Sequence, residues 1–168
     1  MPPMALLGTD AWPHPADWGG ALVTFPTAGD WTVPTTGWHL DWPARGAPGS
    51  QLLVKWLGYV TPVGAGGGGT LVIAGSHRLV ADHLADTDPS DPGSSRTVRE
   101  AIFGSHPWFR EPRLDDGPVV RGVPVRVVEL TGEPGDVVFL HPHLLHAAAP
   151  NCAATPRFMI TGQALHFA

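Results

Sequence analysis

His39 and Asp41 stand two residues apart in the segment Gly37-Trp-His-Leu-Asp-Trp42. On an extended strand that spacing sends both side chains to one face. An imidazole and a carboxylate on one face, joined by a second imidazole from elsewhere, form the two-histidine, one-carboxylate set. Such a set occupies one face of an octahedral iron(II) and leaves positions for a cosubstrate and oxygen, which is the chemistry of a non-haem iron oxygenase. Three histidines, His141, His143 and His146, lie within six residues much later in the chain. His141 and His143 share one strand face, and Pro142 divides that strand from the next, so spacing leaves all three open as the third ligand. An H-x-D pair alone equally describes a hydrogen-bonded structural pair, and histidines also cluster on surfaces. The metal reading rests on the two features together.

The elements that must position these residues read as short strands. Glycine (21) and proline (19) are too abundant for a helical domain, because both break helix interiors. Strands are expected at Ala21–Phe25, Thr36–Trp42, Gln51–Val60, Thr70–Ala74, within Val119–Leu130 with a break at Pro124, and at Val137–His141, Leu144–Ala149 and Arg157–Leu165. In the second of these, Trp38, Leu40 and Trp42 face away from His39 and Asp41. The strand Gln51–Val60 is apolar except for Lys55, the chain's only lysine. Pro43–Ser50 reads as turn-rich, and Trp38, Trp42 and Trp56 as core or pocket wall. Between Leu79 and Gly117 the chain is rich in Asp, Pro and Ser, and it reads as a long irregular insertion, a lid or substrate-facing excursion. One short helix is expected in it, Ser95–Phe103, capped by Ser94 or Ser95. Its Arg96, Arg99, Trp108 and Arg110 are placed to meet an anionic or aromatic group. Seven to nine short strands with turns between them suggest a sandwich or jelly roll in a single domain, residues 1–168.

Composition excludes several classes. A formal charge of −5 without any basic run gives no basis for nucleic-acid binding. A single cysteine, Cys152, cannot form a disulfide within the chain, fits a reducing compartment, and reads as a bystander. Met1–Trp12 lacks the pattern of a signal peptide, and no apolar run approaches the roughly 20 residues of a membrane span, so a soluble, cytoplasmic protein is expected. Gly64–Gly69 is followed by no Lys-Ser or Lys-Thr, which removes a phosphate-cradling loop. There is no Gly-x-Ser-x-Gly elbow for a hydrolase. Oligomeric state is left open.

The stretch Gly68-Gly-Thr-Leu-Val-Ile-Ala-Gly-Ser-His-Arg78, with Pro134-Gly-Asp-Val-Val-Phe-Leu140 and Leu144-Leu-His-Ala-Ala-Ala-Pro-Asn151, resembles the phytanoyl-CoA dioxygenase family of iron(II)/2-oxoglutarate oxygenases. The resemblance runs from about Leu22 to Leu165. It implies a double-stranded β-helix, a cupin-like jelly roll with little helix. It implies His39, Asp41 and His146 as ligands of Fe(II), and Arg157 as the bidentate partner of the far carboxylate of 2-oxoglutarate. Thr36 and Thr70 are candidates to line the cosubstrate site, although each also reads as an ordinary strand threonine. His77, in the Gly-Ser-His turn, reads as structural.

The implied activity is oxidation by O2 of an unactivated C–H of a small organic substrate, with release of succinate and CO2. Asp41 occupies the position a halide would need, so hydroxylation or desaturation is expected over halogenation. The Ala/Gly/Pro/Arg-rich, lysine-poor composition suggests a GC-rich bacterial source and a secondary metabolite as substrate. There are departures from the family pattern. Only 38 residues precede His39, where the family carries a helical region, so that region is short or missing. Ala74 stands where proline is usual and Ala148 where a cosubstrate-contacting serine is frequent. The alternative readings are a cupin-like metal site without 2-oxoglutarate, which Arg157 opposes, and a non-catalytic small-molecule-binding domain.

Overall fold

A computed structural model describes residues 19–41, 50–88, 93–114 and 116–167. The first 18 residues, Trp42, the turn-rich segment 43–49 and part of the Leu79–Gly117 insertion lie outside these. Two antiparallel sheets face one another, the jelly-roll arrangement. The larger has four strands in the order β1-β9-β2-β7: β1 is Gly20–Thr24, β2 Ser50–Tyr59, β7 Val137–Leu140 and β9 Arg157–Phe167. In the smaller, β3 (Thr70–Ala74) runs between β6 (Arg126–Leu130) and β8 (His146–Ala148). A two-residue ribbon, β4 (Val119–Val120) with β5 (Val123–Pro124), precedes β6.

Period-two alternation decides which side chains meet between the sheets. Leu57, Tyr59, Leu140 and Met159 of the larger sheet pack against Val72 of the smaller, with Leu22, Val128 and Val138 around them. On the other face of the smaller sheet, Leu71, Ile73, Leu145 and Ala147 form a second core with Trp38 and Leu40. Two helices complete that core. Helix α1 (Ser76–Ala85) contributes Leu79 and Val80, and α2 (Ser95–Gly104) contributes Val98 and Ile102. A 3-10 turn, Pro107–Arg110, adds the fully buried Phe109.

Three local outcomes differ from the sequence reading or refine it. Helix α1 occupies a stretch read as a turn followed by irregular chain. Gly75, at φ +88°, swings the chain from β3 into the helix, and a Cβ there would clash with the Pro124 carbonyl oxygen. The helix's apolar buried face is short, Leu79 and Val80 with Leu84 partly buried beyond them and the polar Ser76 buried at its start, which blurs the 3.6-residue period. The helix expected at Ser95 is present, and the Ser94 hydroxyl accepts from the Thr97 amide at 3.1 Å, an N-cap bond. Finally, Thr36–Asp41 is not a continuous strand. Gly37 adopts φ +82°, and the segment pairs only through His39 with His146. The alternation survives this: Trp38 and Leu40 are buried, while His39 and Asp41 face the other way.

Candidate metal centre

The His39–His146 pairing fixes the centre. The two residues exchange both backbone hydrogen bonds, His39 N to His146 O at 2.9 Å and His146 N to His39 O at 3.1 Å. Their rings approach with centroids 4.2 Å apart. Asp41, two residues on, brings Oδ2 to 3.4 Å from His146 Nε2. One ligand atom from each of His39, Asp41 and His146 lies within 4.8 Å of the other two. His141 and His143 instead stack near His77, with centroids 5.1 Å and 5.3 Å apart along that series.

The tautomers suit metal binding. His39 Nδ1 is 2.8 Å from the Gly37 carbonyl oxygen, and His146 Nδ1 is 2.9 Å from that of Leu144. A carbonyl can only accept, so each Nδ1 carries the hydrogen and each Nε2 keeps its lone pair for a metal. Burial, and then the neighbouring His39, pull the His146 pKa down to about 4. The ring is therefore neutral near neutral pH. Its Nε2 is buried with no hydrogen-bond partner and faces a carboxylate oxygen, an arrangement of two acceptors that calls for a cation between them. The residues present therefore fit a divalent metal such as iron(II).

A cation of another kind is already close. Lys55 Nζ is 2.6 Å from Asp41 Oδ2. Burial pushes the Asp41 carboxyl up, but the hydrogen bond and charge of Lys55, with His146 and His39, outweigh it and hold the carboxyl below its usual range. Sequence reasoning registered Lys55 only as an odd charge in an apolar strand. Alternation along β2 was the available signal, since it puts Lys55 on the inner face with Leu57 and Tyr59.

Arg157 opens β9 and is buried. Its guanidinium donates to Thr24 Oγ1 at 2.7 Å and contacts Met159 Sδ at 3.3 Å, while Nε has no partner among the described residues. Burial lowers its pKa, an effect that Tyr59 opposes, yet an arginine this far from neutrality stays charged. The Tyr59 hydroxyl is also buried without a partner, and its pKa is raised by burial against the pull of Arg157. A buried guanidinium with spare donors and a neighbouring phenol is a site for a carboxylate. Neither Tyr59 nor Thr24 was singled out from the sequence. The position of Arg157 depends on Asn151, whose Nδ2 donates to Thr24 O at 3.0 Å and Thr155 O at 2.9 Å, tying the loop before β9 to β1.

Thr70 is buried on β3, paired with Ala148 and two residues from Val72, the partner of His146. Thr36 is exposed and lines a cleft of about 380 Å³ with Trp38, Arg99, Phe103 and Arg110. A second cleft, about 230 Å³, joins His39 to Arg96 and Arg99. Trp38 is core at 1% exposure. Trp56 lies on the outer face of the larger sheet, where a Cβ at Gly162 would run into its ring. No helix among the described residues is long and apolar enough to cross a membrane.

The sequence profile of the phytanoyl-CoA dioxygenase family matches residues 16–159. No curated protein sequence matches the chain. Among solved structures, SnoK, a non-heme alpha-ketoglutarate dependent carbocyclase from nogalamycin biosynthesis, superposes with a TM-score of 0.52 at 22% identity, covering 88% of this chain and 47% of that one. The epimerase SnoN, solved with Fe3+, alpha-ketoglutarate and nogalamycin RO, gives 0.48 at 20% identity, with 88% and 48% covered. AviO1 from Streptomyces viridochromogenes Tue57 gives 0.46 at 19%, with 87% and 48% covered. The likeness to SnoK concerns the fold, and the present chain spans about half the length of these three structures.

Proposed function

This chain belongs to the phytanoyl-CoA dioxygenase family, and from that premise we propose that it is an iron(II)- and 2-oxoglutarate-dependent oxygenase that hydroxylates an unactivated C–H of a small organic substrate. The observation that carries the reading is the orphaned His146 Nε2 facing Asp41 Oδ2 at 3.4 Å beside the His39 ring. When bound, iron(II) with 2-oxoglutarate and O2 supplies oxidative decarboxylation to succinate and CO2 together with the power to oxidise a C–H bond.

The chain's own residues bind and orient. His39, Asp41 and His146 would hold the metal through two imidazole nitrogens and one carboxylate, which would leave one of its two positive charges for an anionic cosubstrate. Arg157, whose Nε has no partner among the described residues, would pair with the far carboxylate of that cosubstrate, and Tyr59 could add a donor from β2. Thr70 and Val72, both buried on β3, flank β8 at Ala148 and His146 in register. Arg96 and Arg99 of α2 line the cleft at His39 while sharing Glu100 as a partner, which supports reading this part of the segment as substrate-facing.

Anaerobic addition of Fe(II) and 2-oxoglutarate tests this. A visible charge-transfer band should appear, and succinate should form once oxygen is admitted. Folded protein that yields neither band nor succinate defeats the proposal. His146→Ala should lose the band, whereas His141→Ala and His143→Ala should keep it. One observation favours a second reading, a non-catalytic small-molecule-binding domain: Asp41 already carries a cationic partner in Lys55. The same experiment separates the two.

A further inference from the structure

Lys55 is the chain's single lysine, and β2 delivers it to the His39–Asp41–His146 cluster. Its strand neighbours in register are Leu140 on β7 and Gln163 on β9, and neither offers a charge. Its ion-pair partner is Asp41, at 2.6 Å, with the two side chains only 19% and 22% exposed. Desolvating an ammonium on a strand's inner face is unfavourable unless a counter-ion meets it, and here that counter-ion is the carboxylate of the metal-type set. Asp41 Oδ2 therefore has an ammonium on one side and the lone pair of His146 Nε2 on the other.

We propose that Lys55 is a resident cation of this centre: its ammonium holds Asp41 in the metal-free protein, and a divalent metal must displace it. The inference rests on reading His39, Asp41 and His146 as metal ligands. If a dication takes Asp41 Oδ2, it and the ammonium on that oxygen would repel at near-contact distance with twice the strength of two unit charges, which disfavours keeping both there. The exchange has two consequences. The ligand set stays assembled without metal, since Asp41 is held beside the two imidazoles. Metal affinity is lower than the three ligands alone would give, because each binding event breaks the Lys55–Asp41 pair.

Two measurements with Mn(II), which stands in for iron(II) without oxidising, test the exchange. Because Lys55 is the only side-chain amine, an amine-acylating reagent followed by mass spectrometry reads its accessibility in the wild-type protein. Saturating Mn(II) should accelerate labelling of Lys55 severalfold over the metal-free rate, and an unchanged rate with Mn(II) bound overturns the proposal. In direct titrations, Lys55→Met should bind Mn(II) at least tenfold more tightly than wild type, while Lys55→Arg, which keeps the charge, should stay near wild type. A folded Lys55→Met protein that binds Mn(II) no more tightly also overturns it. If Lys55→Met does not fold, the labelling of wild type decides alone. Absence of Mn(II) binding to both wild type and folded Lys55→Met removes the metal-centre reading itself, and the Lys55 exchange with it. Binding that is equal in the two removes only the exchange.

Discussion

Among the described residues, the three-stranded sheet is packed on both faces, whereas the four-stranded sheet is packed on one. Behind β3 and β8, the helices and the 3-10 turn bury Leu71, Ile73, Leu145 and Phe109 completely. Behind β1, β9, β2 and β7, the outer face shows Val23, Phe158, Val137 and Phe139 at 39–50% exposure, with Phe25 beyond β1 at 67%. The difference maps onto the site. His146 lies on the fully packed sheet and His39 pairs to it, while Lys55 and Arg157 come from the half-covered sheet. The cross-strand histidine pair thus rests on the sheet buried on both faces, and the two cations come from the other sheet.

The sharpest way to break the contrast is to hollow out the packed side. Phe109→Ala should destabilise the protein by about 3–5 kcal/mol, read as a lowered urea midpoint, because a fully buried ring leaves a cavity. Lowering the pH attacks the same layer chemically. Burial holds the His146 pKa at about 4 in the folded chain, against 6.5 for an ordinary imidazole. Its neutral form thus contributes stability that is complete above pH 6.5 and is lost as pH falls toward 4. The loss is about 3 kcal/mol in metal-free protein; melts across that range should show it, and His146→Gln should flatten the profile. On the half-covered side, Arg157→Lys should weaken 2-oxoglutarate binding roughly ten- to hundredfold through loss of the planar fork, measured by titrating the Fe(II) chelate band. The smallest change comes from the outer face. Phe158→Ser should shift stability by no more than about 0.5 kcal/mol while reducing binding of a hydrophobic dye.

Much of this layout was legible in residue patterns. Strands announced themselves through runs such as Thr70–Ala74 and Val137–His141, the latter ending one residue earlier as β7. His39 and Asp41 were visible because a two-residue spacing survives even where the ladder shrinks to one bridge. Other features lay beyond pattern. Helix α1 hides its short buried face behind Ser-His-Arg, which reads as a turn. The Asp41–Lys55 contact joins residues whose nearness depends on how two sheets stack, and no local spacing encodes that. Tyr59 looked like one more apolar strand residue until its hydroxyl was seen beside Arg157.

The reciprocal backbone pairing of His39 with His146 also sets an order of events during biogenesis. The two histidines are separated by roughly a hundred residues, about 5–20 s of synthesis at ordinary elongation rates, and contacts this distant in sequence form late. Until His146 has emerged, the cluster His39–Asp41–His146 is incomplete; on the proposed metal reading, loading would wait until β8 has docked on β3.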